Sequence, residues 1–129
     1  MMLLSMFKSL RYAWNGMRYV FIHEQNFRLQ TYVAFVVLAC SFLFGLSRSE
    51  VLAVVFLILL VLILELLNSA LEKFADILKP RLDLQIGVVK DIMAAMVLLA
   101  SLGSACIGLV IFWPHIVELV SQTWYNMST

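Results

Sequence analysis

Charge is what this sequence lacks. Of its 129 residues only 13% are Asp, Glu, Lys or Arg, while 64% are hydrophobic and the mean hydropathy is +0.99. A soluble domain carries about 25% charged residues. The shortfall excludes a large soluble catalytic domain and marks an integral membrane protein, with room for three or four helical crossings of roughly 20 residues each. Nine Lys/Arg against eight Asp/Glu leave a net charge of +1, so neither sign is in excess and nothing points to nucleic acid. Five glycines, at 16, 45, 87, 103 and 108, are too few and too scattered for a glycine-rich phosphate cradle. There is no Gly-x-x-x-x-Gly-Lys-Ser/Thr loop, dinucleotide fingerprint or protein-kinase motif set. Two cysteines, Cys40 and Cys106, fall deep in apolar runs and read as packed free thiols. His23 and His115 have no second His or Cys at ligand spacing, which leaves a zinc site unsupported. No internal repeat is visible.

What is present is a set of apolar runs bounded by charge. Between Arg28 and Arg48 lie 19 uncharged residues, 29–47, the first expected span. The second run is pure from Val51 to Leu64, only 14 residues, so a span over 51–72 must continue through Glu65 and Asn68. A third run fills 91–113 and is expected to stop at Pro114, leaving a tail over 114–129. Ahead of the spans, Lys8, Arg11, Asn15 and Arg18 recur on one helical face while Leu10, Trp14, Met17 and Phe21 share another. That pattern predicts an amphipathic surface helix over 7–24. The expectation is a single all-α membrane domain over 1–129, a surface helix followed by three transmembrane helices. Cations cluster before the first span and in the 72–91 loop, so the positive-inside rule puts the N-terminus and that loop in the cytoplasm and the C-terminus outside. Ala100, Ser104 and Gly108 are spaced four apart on the third span, a stripe that lets helix backbones approach. Three short spans enclose little volume, which points to a homo-oligomer.

The polar residues of the second span need an explanation. Glu65, Asn68, Ser69, Glu72 and Asp76 sit at offsets 0, +3, +4, +7 and +11, and at about 100° per residue all five share one face. Glu65 interrupts an apolar helix, where an ionised carboxylate costs several kcal/mol, so it is held by function or by a partner. Function would make it a general base; the bland alternative pairs it with a cation of another helix. Glu72 and Asp76 taken singly are ordinary solvated charges, and only the shared face makes them a signal. Hard divalent cations take oxygen ligands, and Mg²⁺ is commonly held by one or two carboxylates plus substrate phosphates, a role open to Glu24 and Glu72. Arg11, Arg18, Arg28 and Lys90 suit a polyphosphate, although cations at this depth also serve as topology signals and anionic-lipid contacts. Two other classes compete with an enzyme. In a proton- or ion-coupled transporter subunit, Glu65 would be the ion site; in a structural subunit, the stripe would only pair helices. Clustering near the cytoplasmic margin disfavours the transporter, whose site usually lies near the midplane.

The run Glu65-Leu-Leu-Asn68-Ser69-Ala70-Leu71-Glu72 resembles the Glu-x-x-Asn-[Ser/Thr]-Ala-x-Glu signature of the prokaryotic diacylglycerol kinase and undecaprenol kinase family. Supporting blocks stand in the same order: Trp14-Asn15-Gly16 through Glu24-Gln25-Asn26-Phe27-Arg28, then Lys90-Asp91 followed by Ala94-Ala95. The likeness covers roughly residues 7 to 113. It implies a small lipid kinase of the bacterial inner membrane, a homotrimer with sites shared between subunits, moving the ATP γ-phosphoryl group to a lipid hydroxyl. By that likeness Glu65 is the general base and Asn68 its polar neighbour, with Arg28 and Ser69 on the lipid side. Glu24 and Glu72 are the Mg²⁺ ligands, and Arg11, Trp14, Asp76, Lys90 and Asp91 complete the nucleotide site. Departures exist: Met93 and Met96 replace small residues, the loop 79–84 lacks His or Tyr, and Gln30 stands where the diacylglycerol-specific members are acidic. The last leans toward the undecaprenol kinase branch.

Overall fold

The structure, a computed structural model, describes residues 2–78 and 83–128, with side chains placed over 6–78 and 85–127. Four helices account for nearly all of it: α1 (Met2–His23), α2 (Gln25–Leu43), α3 (Arg48–Leu78) and α4 (Asp83–Ser128). Three of them, α2, α3 and α4, are long and apolar enough to cross a membrane. The architecture is therefore all-helical, as the composition demanded.

The breaks have local causes. Glu24 alone separates α1 from α2, in extended backbone at φ −105° and ψ 114°, and serves as the N-cap residue of α2. One Nη of Arg28 donates to the Phe21 and Ile22 carbonyls at 3.2 and 2.6 Å. A cation thus satisfies carbonyls left orphaned at the end of α1 and clamps the elbow. Between α2 and α3, Gly45 adopts φ +65°, a left-handed conformation in which a Cβ would be strained. Ser47 then opens α3 with a capping box: its hydroxyl and backbone N–H donate to Glu50 Oε2 at 2.6 and 2.8 Å. The Glu50 N–H points back to the Ser47 hydroxyl at 3.4 Å.

The helices outrun the apolar windows that flagged them. The first span ends at Leu43 rather than 47, because Gly45 turns the chain first. The second occupies 31 residues of α3, and the expected 72–91 loop is helix over 72–78 and 83–90. Hydropathy marks the bilayer, whereas a helix continues into water until a breaker stops it. Lys79, Pro80, Arg81 and Leu82 of that loop lie outside the described residues. Pro114 does not end the third helix: α4 runs through it to Ser128, so the tail is helical. Loss of one backbone donor is tolerated where the residues beyond, from Ile116 to Val120, form helix readily and no second breaker follows.

Two polar ties fix α3 against α4. Lys90 Nζ meets Asp76 Oδ1 at 2.9 Å, and His115 Nε2 meets Glu50 Oε1 at 3.3 Å. The paired numbers run in opposite senses, so the helices are antiparallel in one continuous register. About 26 residues of α3 separate the ties, roughly 39 Å, somewhat more than a hydrocarbon core of about 30 Å. Phe44 packs edge-on to Phe112 at 5.9 Å, closing the same end as His115. At the other end Phe21 meets Tyr32 at 6.1 Å, and the Lys73 ammonium lies 5.9 Å from the Tyr19 ring, drawing α1 onto α2 and α3.

Little of this is a core. Among the described residues, the buried apolar ones are Val20, Phe27, Ala34, Val54, Ala75, Ile86 and Met93. The accessible surface is 10218 Å², against about 6,900 Å² for a compact soluble monomer of this mass. Phe35, Leu43, Leu99 and Val110 are all more than 65% exposed. Such a surface is stable only when something apolar covers it.

Candidate active site

Glu65 is the centre. It lies on α3 about 22 Å along the helix from Glu50 and about 16 Å from Asp76, between the two ties and nearer the latter. Its side chain is 3% exposed. A buried carboxylate requires donors, and α2 supplies one: Gln30 Nε2 donates to Glu65 Oε1 at 2.7 Å. Among the described residues no donor reaches Oε2. Neither Lys nor Arg reaches Glu65 in the manner of an ion pair, among the described residues. The bland reading, a buried acid neutralised by a cation of a neighbouring helix, therefore does not describe this chain on its own.

The rest of the stripe gathers toward the same end. Ser69 is buried at 4% and its hydroxyl donates to the Glu65 main-chain carbonyl at 3.0 Å, which turns its oxygen toward the helix. Asn68 is half-buried one turn on. Glu24, at the elbow, and Glu72, two turns along α3, both act electrostatically on Glu65, and Glu72 also acts on Lys90. The elbow and α3 thus bring Glu24 and Glu72 within electrostatic reach of Glu65, and α3 and α4 bring Glu72 within reach of Lys90. Asp76 and Lys90, expected as separate nucleotide contacts, are paired directly. Among the described residues no three His, Cys, Asp or Glu side chains stand together as a ready-made metal cage. Two flanking carboxylates remain a donor set that a hard cation accepts when phosphate oxygens complete the shell.

Other expected residues stand apart. Arg11 and Trp14 are exposed on α1, and Asp91 is exposed beside Lys90. Arg28 is engaged in the elbow clamp. In sequence Gln30 stands out only as a departure from the family pattern, yet it is the residue that holds Glu65. A lone amide in the first turn of an apolar span was the available signal.

Beyond Gln30 the three spans frame a groove of about 590 Å³, walled by α2, α3 and α4. Val33, Val54 and Ile58 make it apolar, and Ser104 and Gly108 keep its α4 wall low. Gln30 Oε1, Ser101 Oγ and Ser104 Oγ are buried there without hydrogen-bond partners among the described residues. Gln30, which lines this groove and donates to Glu65, is the residue that links the carboxylate to it.

The family model described as prokaryotic diacylglycerol kinase matches residues 11–112. The chain belongs to the prokaryotic diacylglycerol kinase family. It is 34% identical over 113 residues to a diacylglycerol kinase of Synechocystis sp., covering 87% of this chain and 65% of that protein. An undecaprenol kinase of Bacillus subtilis is 34% identical over 110 residues, 85% of this chain and 89% of its own. A diacylglycerol kinase of Escherichia coli is 26% identical over 108 residues, 84% and 88% respectively. The relatives are lipid kinases, and membership in this membrane lipid-kinase family favours an enzyme over the transporter and structural-subunit readings. In a member of this family, all of Glu24, Arg28, Gln30, Glu65, Asn68, Glu72, Asp76 and Lys90 fall within the matched residues.

Proposed function

We propose that this family member transfers the γ-phosphoryl group of ATP to the hydroxyl of a membrane lipid, diacylglycerol or undecaprenol. One observation carries the reading: a buried carboxylate, with no cation paired to it among the described residues, is held by a neutral donor that itself lines an apolar groove between the spans. The groove receives the hydrocarbon chain and brings the alcohol to Glu65. Oε2 of Glu65 takes the hydroxyl proton as the lipid oxygen bonds to the γ-phosphorus and the bridging oxygen leaves with ADP. Gln30 keeps the carboxylate oriented, and Asn68 and Ser69 shape the polar lip around it. Phosphoryl transfer asks chiefly for positioning and charge, so a compact site without a phosphate loop suffices.

Glu24 and Glu72 are the residues that would hold Mg²⁺ together with the nucleotide phosphates, and the ion would neutralise charge on the transferring group. Lys90, steadied by Asp76, faces the same end, with Asp91, Arg11 and Trp14 around the nucleotide and Arg28 near the lipid headgroup. The site works in a homotrimer whose neighbouring copies cover exposed helix faces, in the bacterial inner membrane, with the α1–α2 elbow cytoplasmic and the C-terminus outside. The test is phosphate transfer from labelled ATP to each lipid in liposomes. Glu65→Gln should abolish transfer while the protein still assembles; an active Glu65→Gln protein removes the base assignment. Comparing the two acceptors side by side decides the lipid.

A further inference from the structure

The family match ends at Phe112, whereas α4 continues to Ser128. Over that extension the residues sort by face. At about 100° per residue, Trp113, Ile116, Val117, Val120, Trp124 and Met127 fall in an arc of about 100°, and His115, Glu118, Gln122 and Asn126 fall in an arc of about 80° opposite. All six apolar side chains are exposed, from 38% at Ile116 to 79% at Met127. His115 reaches Glu50, so the polar arc is the side turned toward α3 and the apolar stripe faces away from the bundle. Within the span that same outward face carries the exposed Leu102 and Leu109. The stripe is thus continuous with the surface that α4 presents to the hydrocarbon.

A straight helix would carry this stripe roughly 22 Å past Trp113 into water. Pro114 offers the alternative. It has no N–H for the Val110 carbonyl and its ring crowds that turn, which makes it the weakest point of α4 against bending. A bend toward the outward face turns the stripe down onto the bilayer and the polar arc up into water. The tie between His115 and Glu50 holds the pivot at the level of the α2–α3 turn.

We propose that residues 115–127 lie as an interfacial helix on the membrane face at the α2–α3 turn, hinged at Pro114, with the boundary between headgroups and acyl chains as its partner. Trp113 and Trp124 are the anchors, since amphipathic rings settle at headgroup level. The segment holds Glu118 but no Lys or Arg, so apolar area and not attraction to anionic lipid drives the contact.

Nitroxide labels on single cysteines at positions 117, 118, 120 and 122 test this, in the full chain carrying Cys40→Ala and Cys106→Ala, reconstituted in phosphatidylcholine vesicles. Labels at 117 and 120 should collide several-fold more with oxygen relative to a water-soluble nickel chelate than labels at 118 and 122. Equal nickel access around the helix, the mark of a tail standing in water, overturns the proposal. So does protection of 117 and 120 from both agents with spin broadening, which would seat a second copy on the stripe. Where the cysteine-free chain fails to assemble, Trp124 alone, with Trp14→Phe and Trp113→Phe, gives an independent reading. Its emission should be blue-shifted, quenched by brominated lipid and insensitive to added phosphatidylglycerol; iodide quenching at the water-exposed maximum rejects the interfacial helix.

Discussion

Glu65 is a carboxylate buried inside an apolar helix pair, and the proposed chemistry rests on how it is held there. Gln30 presents a neutral donor to Glu65, so it orients the group without neutralising it. Gln30→Leu removes that bond and leaves a buried oxygen unsatisfied, at a cost of about 1–3 kcal/mol. The expected outcome is a fall of about tenfold or more in kcat with the KM for ATP unchanged, measured in liposomes. A parallel rise in KM for ATP would place Gln30 in nucleotide binding instead. Glu65→Gln, which removes the proposed base and keeps the shape, should lower kcat by about 10²–10⁴ or more. At Glu72 the expected effect is a higher Mg²⁺ requirement in Glu72→Gln; an unchanged metal titration counts against a ligand role. The stripe was legible because helical periodicity alone puts Glu65, Asn68, Ser69, Glu72 and Asp76 on one face. What periodicity could not supply was the partner from another helix: nothing within α3 names Gln30, and nothing local pairs Lys90 with Asp76. Likewise Arg28 reads as a phosphate or lipid contact in sequence, and only the elbow geometry shows its guanidinium capping α1.

At the scale of elements, the three apolar runs marked three helices, but not where they end. Hydropathy reports the bilayer edge, whereas Gly45 and the Ser47–Glu50 capping box set the actual boundary between α2 and α3. Pro114 reads as a stop because proline breaks isolated helices, yet α4 carries on through it to Ser128, with no second breaker to end it. The elbow clamp makes a further prediction. Arg28→Ala leaves the Phe21 and Ile22 carbonyls without their charged donor, and hydrogen bonds of that kind contribute about 1.5–3 kcal/mol. Thermal unfolding in detergent should show lower stability, whereas Arg28→Lys should recover part of it as a cation near the helix end. The Asp76–Lys90 bridge is partly exposed, so solvent screening leaves it a small stabilising share. A double-mutant cycle with Asp76→Asn and Lys90→Met should therefore show weak coupling in stability. Strong coupling in the KM for ATP is expected from the same cycle, and its absence would separate this pair from the nucleotide.

For the whole molecule, the surface left open by a single chain is the governing fact. With so few buried side chains, α2, α3 and α4 depend on apolar surroundings for cover. Native mass spectrometry of the detergent-solubilised protein should report three copies; a monomer of full activity would show that one chain holds a complete site. The connection between α1 and α2 matters at this scale as well. Only Glu24 stands between them, and Arg28 pins the joint from below, so the two helices turn together like the arms of a crank. When a thicker bilayer draws the first span upright, α1 and the Glu24 carboxylate must swing with it. Lipid chain length would then set the rate of catalysis through mechanical gearing, and two glycines inserted after Glu24 would disengage it.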